Sequence, residues 1–133
     1  MPIHSCLFRV HDERLAIVRL APDAPAPDWA QGAFVTLSRT RAELSVVCAQ
    51  RFVPNDLVQE RDKVAFAIDG VVPMTTIGLL AQLCGALAAA SVPVFVISTY
   101  DTDWLLVSAE RVDAARAALL GAGQRVVGET PTT

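Results

Sequence analysis

From Gly70 to Tyr100 the chain carries no charged residue, and that run constrains the fold more than any other feature. An uncharged apolar stretch either crosses a bilayer or is buried inside a protein. Two prolines favour the second outcome. Proline removes a helical hydrogen bond and clashes with the preceding turn, so Pro73 and Pro93 delimit a segment short for a hydrocarbon core about 30 Å thick. Gln82, Gly85 and Ser91 lie within it, and much of the remainder is alanine. The run therefore reads as a buried helix followed by a strand, and no membrane span is expected.

Thr75 or Thr76 can cap a helix running to about Ala90. Ile77, Leu80, Ala81, Cys84, Leu87 and Ala88 follow helical spacing. Leu79, Leu83, Ala86 and Ala90 add a second apolar face, which predicts a helix covered on two sides. Lys63–Asp69 upstream reads as a strand. Downstream, Val94–Thr99 and Trp104–Val107 read as a hairpin across Tyr100-Asp101-Thr102-Asp103. Glu110–Leu120 is an amphipathic helix stopped by Gly121-Ala122-Gly123, and Gln124–Val127 is a last strand. The order β-α-β-β-α-β predicts an α+β, ferredoxin-like sandwich with helices on one face of an antiparallel sheet.

The first half echoes this order in shortened form. Leu15–Leu20, Phe34–Leu37 and Leu44–Ala49 read as strands, with a further strand possible at Cys6–Val10. Pro22 to Pro27 is a loop, Asp28–Gln31 one or two helical turns, and Asn55 a cap for a short helix through Gln59. The charged segment Glu60–Lys63 marks a boundary. The expected organisation is residues 1–61, residues 62–128 and a tail, 129–133.

Composition narrows the functions. Net charge is −3 with 11 basic residues in 133 and no basic cluster, so nucleic acid is not an expected partner. Cys6, Cys48 and Cys84 are odd in number and far apart. They are expected to be reduced thiols in a cytoplasmic protein, with Cys84 in the core. Met1-Pro2-Ile3-His4 shows no signal-peptide pattern. No nucleophile elbow, zinc-protease, Walker or Rossmann pattern occurs. His4 and His11 are expected to be exposed and without a role. Ser45 and Cys48 have no histidine close in sequence. No catalytic residue, metal or cofactor is expected.

Asp101 and Asp103 remain. On an extended segment, residues two apart project to one face, and two carboxylates so placed could hold an ammonium group. Equally, Asp and Thr favour turns through side-chain to backbone hydrogen bonds. The loop before the main helix supplies a complement. Free N–H groups at Ile77, Gly78 and Leu79 would favour a carboxylate. Glycine at 78 costs a helix about 1 kcal/mol against alanine, which fits a place where something approaches the backbone. In a β-α-β-β-α-β unit the two places share one sheet edge, and a free amino acid carries that pair of charges.

At these residues the sequence resembles the ACT-domain family of amino-acid-sensing modules. It is similar to small tandem-ACT proteins related to aspartate kinase regulatory regions and to cytosolic arginine sensors. Val96-Ile-Ser-Thr-Tyr-Asp-Thr-Asp103 followed by Trp104-Leu-Leu-Val107 carries the resemblance most specifically. Pro27-Asp-Trp29, Phe34-Val-Thr-Leu-Ser-Arg39 and Glu43-Leu-Ser-Val-Val-Cys48 extend it to the first half. At the entry to the main helix, where relatives show an acidic residue and then a Thr-Gly pair, this chain has Thr75 and then Ile77-Gly78. The resemblance implies two ACT-like units and a non-catalytic regulatory module with an amino acid between paired units. The implied contacts are Ser45, Val46, Gly78, Leu79, Thr99, Tyr100 and Asp103, with Asp101 beside them. The two apolar faces of the main helix and the many strands further suggest a homodimer, and ligand binding would bias that dimer or an interface with a regulated protein partner. The alternative is an interaction module whose pocket is filled by its own Ile77 and Leu79; a small enzyme using the Asp pair is the third candidate.

Overall fold

The computed structural model describes residues 4–132. Eight strands and two α-helices follow one another as β1 (Leu7–Val10), β2 (Leu15–Leu20), β3 (Thr36–Arg39), β4 (Leu44–Ala49), β5 (Gln59–Ile68), α1 (Leu79–Ala89), β6 (Phe95–Ser98), β7 (Asp103–Ser108), α2 (Val112–Gly121) and β8 (Arg125–Val127). The chain divides into two compact units, one of residues 4–12 with 64–130 and the other of residues 13–63 with 131–132. The boundary thus falls inside β5, and residues 4–12, grouped by the sequence with the first half, belong to the larger unit. No described helix is long and apolar enough to cross a membrane.

In the larger unit, period-two alternation places Val64, Phe66 and Ile68 of β5 on one face, with Leu105 and Val107 of β7 and Phe8 and Val10 of β1. The helices answer with Leu79, Leu83 and Leu87 of α1 and Val112, Ala115 and Leu119 of α2. Each large apolar side chain taken from water contributes about 1.5–3 kcal/mol. The sheet order is β6-β7-β5-β1-β8. β1 lies antiparallel to β5 and parallel to β8, so the sheet is mixed, where an antiparallel one was expected. The reason is that the N-terminal strand enters between the first and last strands of the β-α-β-β-α-β order.

Two features of α1 differ from its sequence pattern. The helix starts at Leu79, with Gly78 as N-cap, and neither Thr75 nor Thr76 caps it. Only Leu79, Leu83 and Leu87 are buried, so α1 has one buried stripe, where two covered faces were expected. Ile77 is 84% exposed. The helix has one sheet face and α2 to pack on, and Cys84 is accordingly half-buried.

Both helices end in the same hydrogen-bonded motif. After α2, Gly123 has φ +86°, its N–H donates to Leu120, and the Gln124 N–H donates to Leu119. After α1, the Ser91 N–H donates to Ala88 and the Val92 N–H to Leu87, with Ser91 at φ +59°. This is the Schellman pattern, in which the left-handed residue is usually glycine. A side chain there costs roughly 1–2 kcal/mol, so Ser91→Gly is expected to stabilise the protein by about 0.5–1 kcal/mol after the added chain entropy of glycine is subtracted. Urea titration checks this; an unchanged or lower midpoint contradicts it.

The smaller unit is a β3-β4-β2-β5 arrangement, antiparallel throughout. It has no α-helix: residues 28–29 and 55–56 are turns, and a 3₁₀ turn spans Gln50–Phe52. The segment expected to be helical up to Gln59 instead turns and bends over residues 55–58 and then enters β5, because Gln59 and Glu60 are recruited to pair with Val18 and Ile17. Ladder bonds to β2 outweigh a weak capping preference. Ala24, Trp29, Ala30 and Leu57 from the loops cover a core of Ala16, Val18, Leu44, Val46, Cys48 and Val53. The β2–β5 pairing shifts register between Leu15 and Ile17, at a bulge where Asp62 takes φ +57°. The Gln50 amide donates to its carboxylate at 2.9 Å and Arg14 at 3.1 Å. Those bonds hold the Asp62 carboxyl below its usual range, Gln50 first.

Candidate functional site

Ser98 and Asp103 close the β6–β7 hairpin as cross-strand partners. Asp103 is only 9% exposed, and its Oδ1 accepts a hydrogen bond from Ser98 Oγ at 2.5 Å. The connecting turn is held from within: Thr99 N–H donates to the Thr102 carbonyl at 2.8 Å, and Thr102 N–H donates to Thr99 Oγ1 at 3.2 Å. Thr102 Oγ1 donates in turn to the carbonyl of Ile68 at the end of β5, at 2.8 Å. A buried carboxylate is thereby fixed on a rigid hairpin, in the geometry that makes a charge-assisted hydrogen bond strong.

The loop leading to α1 lies against the same hairpin. Val72 N–H donates to the Asp101 carbonyl at 2.6 Å. Gly78 takes φ +85°, no side chain caps α1, and its first turn holds no acidic residue. The first intrahelical bond runs from Gln82 N–H to the Gly78 carbonyl. The N–H groups of Leu79, Leu80 and Ala81 therefore have no partner within the helix and present the positive end of its dipole.

Loop, helix start and hairpin enclose a hollow of about 300 Å³ lined by Val72, Pro73, Met74, Thr76, Gly78, Leu79, Leu80, Ala81, Ser98, Thr99, Tyr100, Thr102 and Asp103. Five residues expected at a site, Gly78, Leu79, Thr99, Tyr100 and Asp103, meet there. Asp101 does not: it sits exposed at the turn, because residues 99–102 are folded back and the two carboxylates no longer share an extended face. Ser45 lines a separate hollow in the smaller unit with Arg19, Glu43 and Glu60. Val46 is fully buried in that unit's core and paired on both sides, to Val18 and to Leu37. Its side chain is therefore committed to packing, contrary to its expected role as a contact.

Sequence reasoning missed Ser98, the residue that orients Asp103, although counting the hairpin register would have found it. Leu80 and Ala81 were missed because the helix was started too early. Among the described residues no group of three or more His, Cys, Asp or Glu could hold a metal. His11, expected at the surface, has a side chain only 10% exposed. It packs edge-on to Trp104 with ring centroids 5.4 Å apart. Burial pushes the Cys6 and Cys48 thiols up, away from the thiolate a nucleophile needs.

Comparison with known proteins agrees with this architecture. Residues 58–120 match the family model described as ACT domain, and a model described as an N-terminal domain matches residues 13–56. No curated protein matches the chain. Among solved structures, the protein Atu0741 from Agobacterium tumefaciens is 28% identical, with 95% of each chain covered and a TM-score of 0.88. The Vibrio cholerae protein VC0802, described as of unknown function and a possible transport protein, is 17% identical over 90% of this chain and 91% of its own, TM-score 0.70. The regulatory subunit of aspartate kinase from Thermus thermophilus, in its ligand-free form, is 14% identical over 85% of this chain and 96% of its own, TM-score 0.58. Residues 58–120 thus match an ACT domain, in a chain that shares the fold of the aspartate kinase regulatory subunit.

Proposed function

We propose that the protein is a non-catalytic regulatory module that binds a free amino acid in the hollow of its larger unit. One observation carries the reading: a buried carboxylate, Asp103, and an uncapped helix N-terminus line the same hollow. The ligand ammonium would meet Asp103, and its carboxylate the N–H groups that start α1. Thr99 and Tyr100 stand beside the ammonium. The ACT domain match and the fold shared with aspartate kinase regulatory subunits support a regulatory role. The ligand would act by binding one of two conformations or assembly states more tightly than the other. The assembly in this reading is a cytoplasmic homodimer that signals to a regulated partner.

The interaction-module alternative requires the hollow to be filled by Ile77 and Leu79. Leu79 reaches it only from the core, and Ile77 is turned to solvent outside its lining, which favours a ligand. Screening the twenty amino acids by thermal shift, with light scattering on the same samples, tests the reading. A ligand at a hundredfold excess over its Kd stabilises by about 2.7 kcal/mol. One or a few amino acids are expected to raise the melting temperature of a dimer. Failure of all twenty would refute the binding function, and a monomer mass at tens of micromolar would refute the dimer.

A further inference from the structure

We infer that the hollow selects amino acids with an uncharged, apolar side chain. This deepens the amino-acid reading above and rests on it. If the ligand ammonium takes Asp103 and its carboxylate takes the start of α1, the lining left for the side chain is Val72, Pro73, Met74, Thr76 and Leu80, mostly apolar, with Tyr100 beside them. Val72 and Leu80 are half-buried and packed against the core cluster, and Val72 is further held by its backbone bond to Asp101. They form a fixed apolar wall. Met74 is 73% exposed, and its flexible, polarizable thioether adapts to differently shaped apolar groups. The geometry thus favours a class of side chains over a single one.

Charge argues in the same direction. No Lys, Arg or His lines the hollow, so an acidic side chain would meet no counter-ion there and would lose part of its hydration against Val72 and Leu80, which is unfavourable. Asp103 is its only carboxylate. Once that group holds the ammonium, a Lys or Arg side chain finds no acid of its own, since Asp101 lies outside. The hairpin hydroxyls are also committed: Ser98 to Asp103, Thr99 to the Thr102 carbonyl and Thr102 to the Ile68 carbonyl. A polar side chain would leave water for few new partners, the Thr76 and Tyr100 hydroxyls, against a lining that is mostly apolar.

Calorimetry on the full chain with leucine, methionine, lysine, arginine, aspartate and glutamate tests this, together with the variants Met74→Glu and Leu80→Asn. Leucine or methionine is expected to bind at least tenfold more tightly than any of the four charged amino acids. Both variants, checked for folding by circular dichroism, are expected to weaken leucine binding, and Met74→Glu to narrow its advantage over lysine. A charged amino acid that binds as tightly as leucine would overturn the selectivity and leave the amino-acid reading standing. Leucine affinity unchanged in both variants would also overturn it, by placing the side chain elsewhere. No heat and no melting shift with any of the six, in a protein that the twenty-member screen also leaves unshifted, would overturn both.

Discussion

Replacing Asp103 by asparagine is expected to weaken amino-acid binding roughly ten- to a hundredfold, because a hydrogen bond to a charged group contributes about 1.5–3 kcal/mol. Asparagine keeps the shape, and its carbonyl still accepts from Ser98 Oγ, so the hairpin should fold as before. What is lost is the charge, at a site only 9% exposed, where water screens it little. Asp12→Asn provides the control. Asp12 is 91% exposed, 3.8 Å from the His11 ring and outside the hollow, so its loss should leave affinity unchanged. Calorimetry giving one affinity for wild type and both variants would reduce Asp103 to a hairpin residue.

The second large effect separates the helix seen in the structure from the helix read in the sequence. Leu83→Ala is expected to destabilise the protein by about 2–5 kcal/mol, as burial loss and cavity combine. Ile77→Ala should change stability by no more than about 0.5 kcal/mol, as exposed substitutions usually do. Leu83 is fully buried between the sheet and α2, whereas Ile77 lies before the N-cap and is turned to solvent. Denaturant titration of both variants checks the pair. Comparable losses at the two positions would mean that the helix begins before Gly78 with Ile77 on its buried face.

Some local elements were legible to the residue. Leu15–Leu20 and Leu44–Ala49 fall where alternation of apolar side chains placed them. The hairpin partners agree to within a residue or two. Such segments are decided by short-range rules, period two and turn chemistry, that every residue in them obeys. The helix N-terminus was misread because Thr75 and Thr76 are good caps in isolation. Gly78 prevails by taking the left-handed conformation that starts α1, one that a threonine adopts only at a cost.

By itself the sequence determined the α+β class, the β-α-β-β-α-β order of residues 64–127 and the resemblance to the ACT family, because these rest on periodicity and on contiguous motifs. It also marked Asp103, Thr99, Tyr100 and Gly78, which lie in two short segments. Only the tertiary structure decided how these segments meet. It brought the loop before α1 against the hairpin through Val72 and Asp101, and it separated the two aspartates by folding the turn. It also buried Val46 under the loops of the smaller unit and set β1 between β5 and β8. Each of these depends on pairing or packing between residues distant in the chain. Local propensity carries no information about such partners, and burial energy, which does choose between them, is a property of the assembled core.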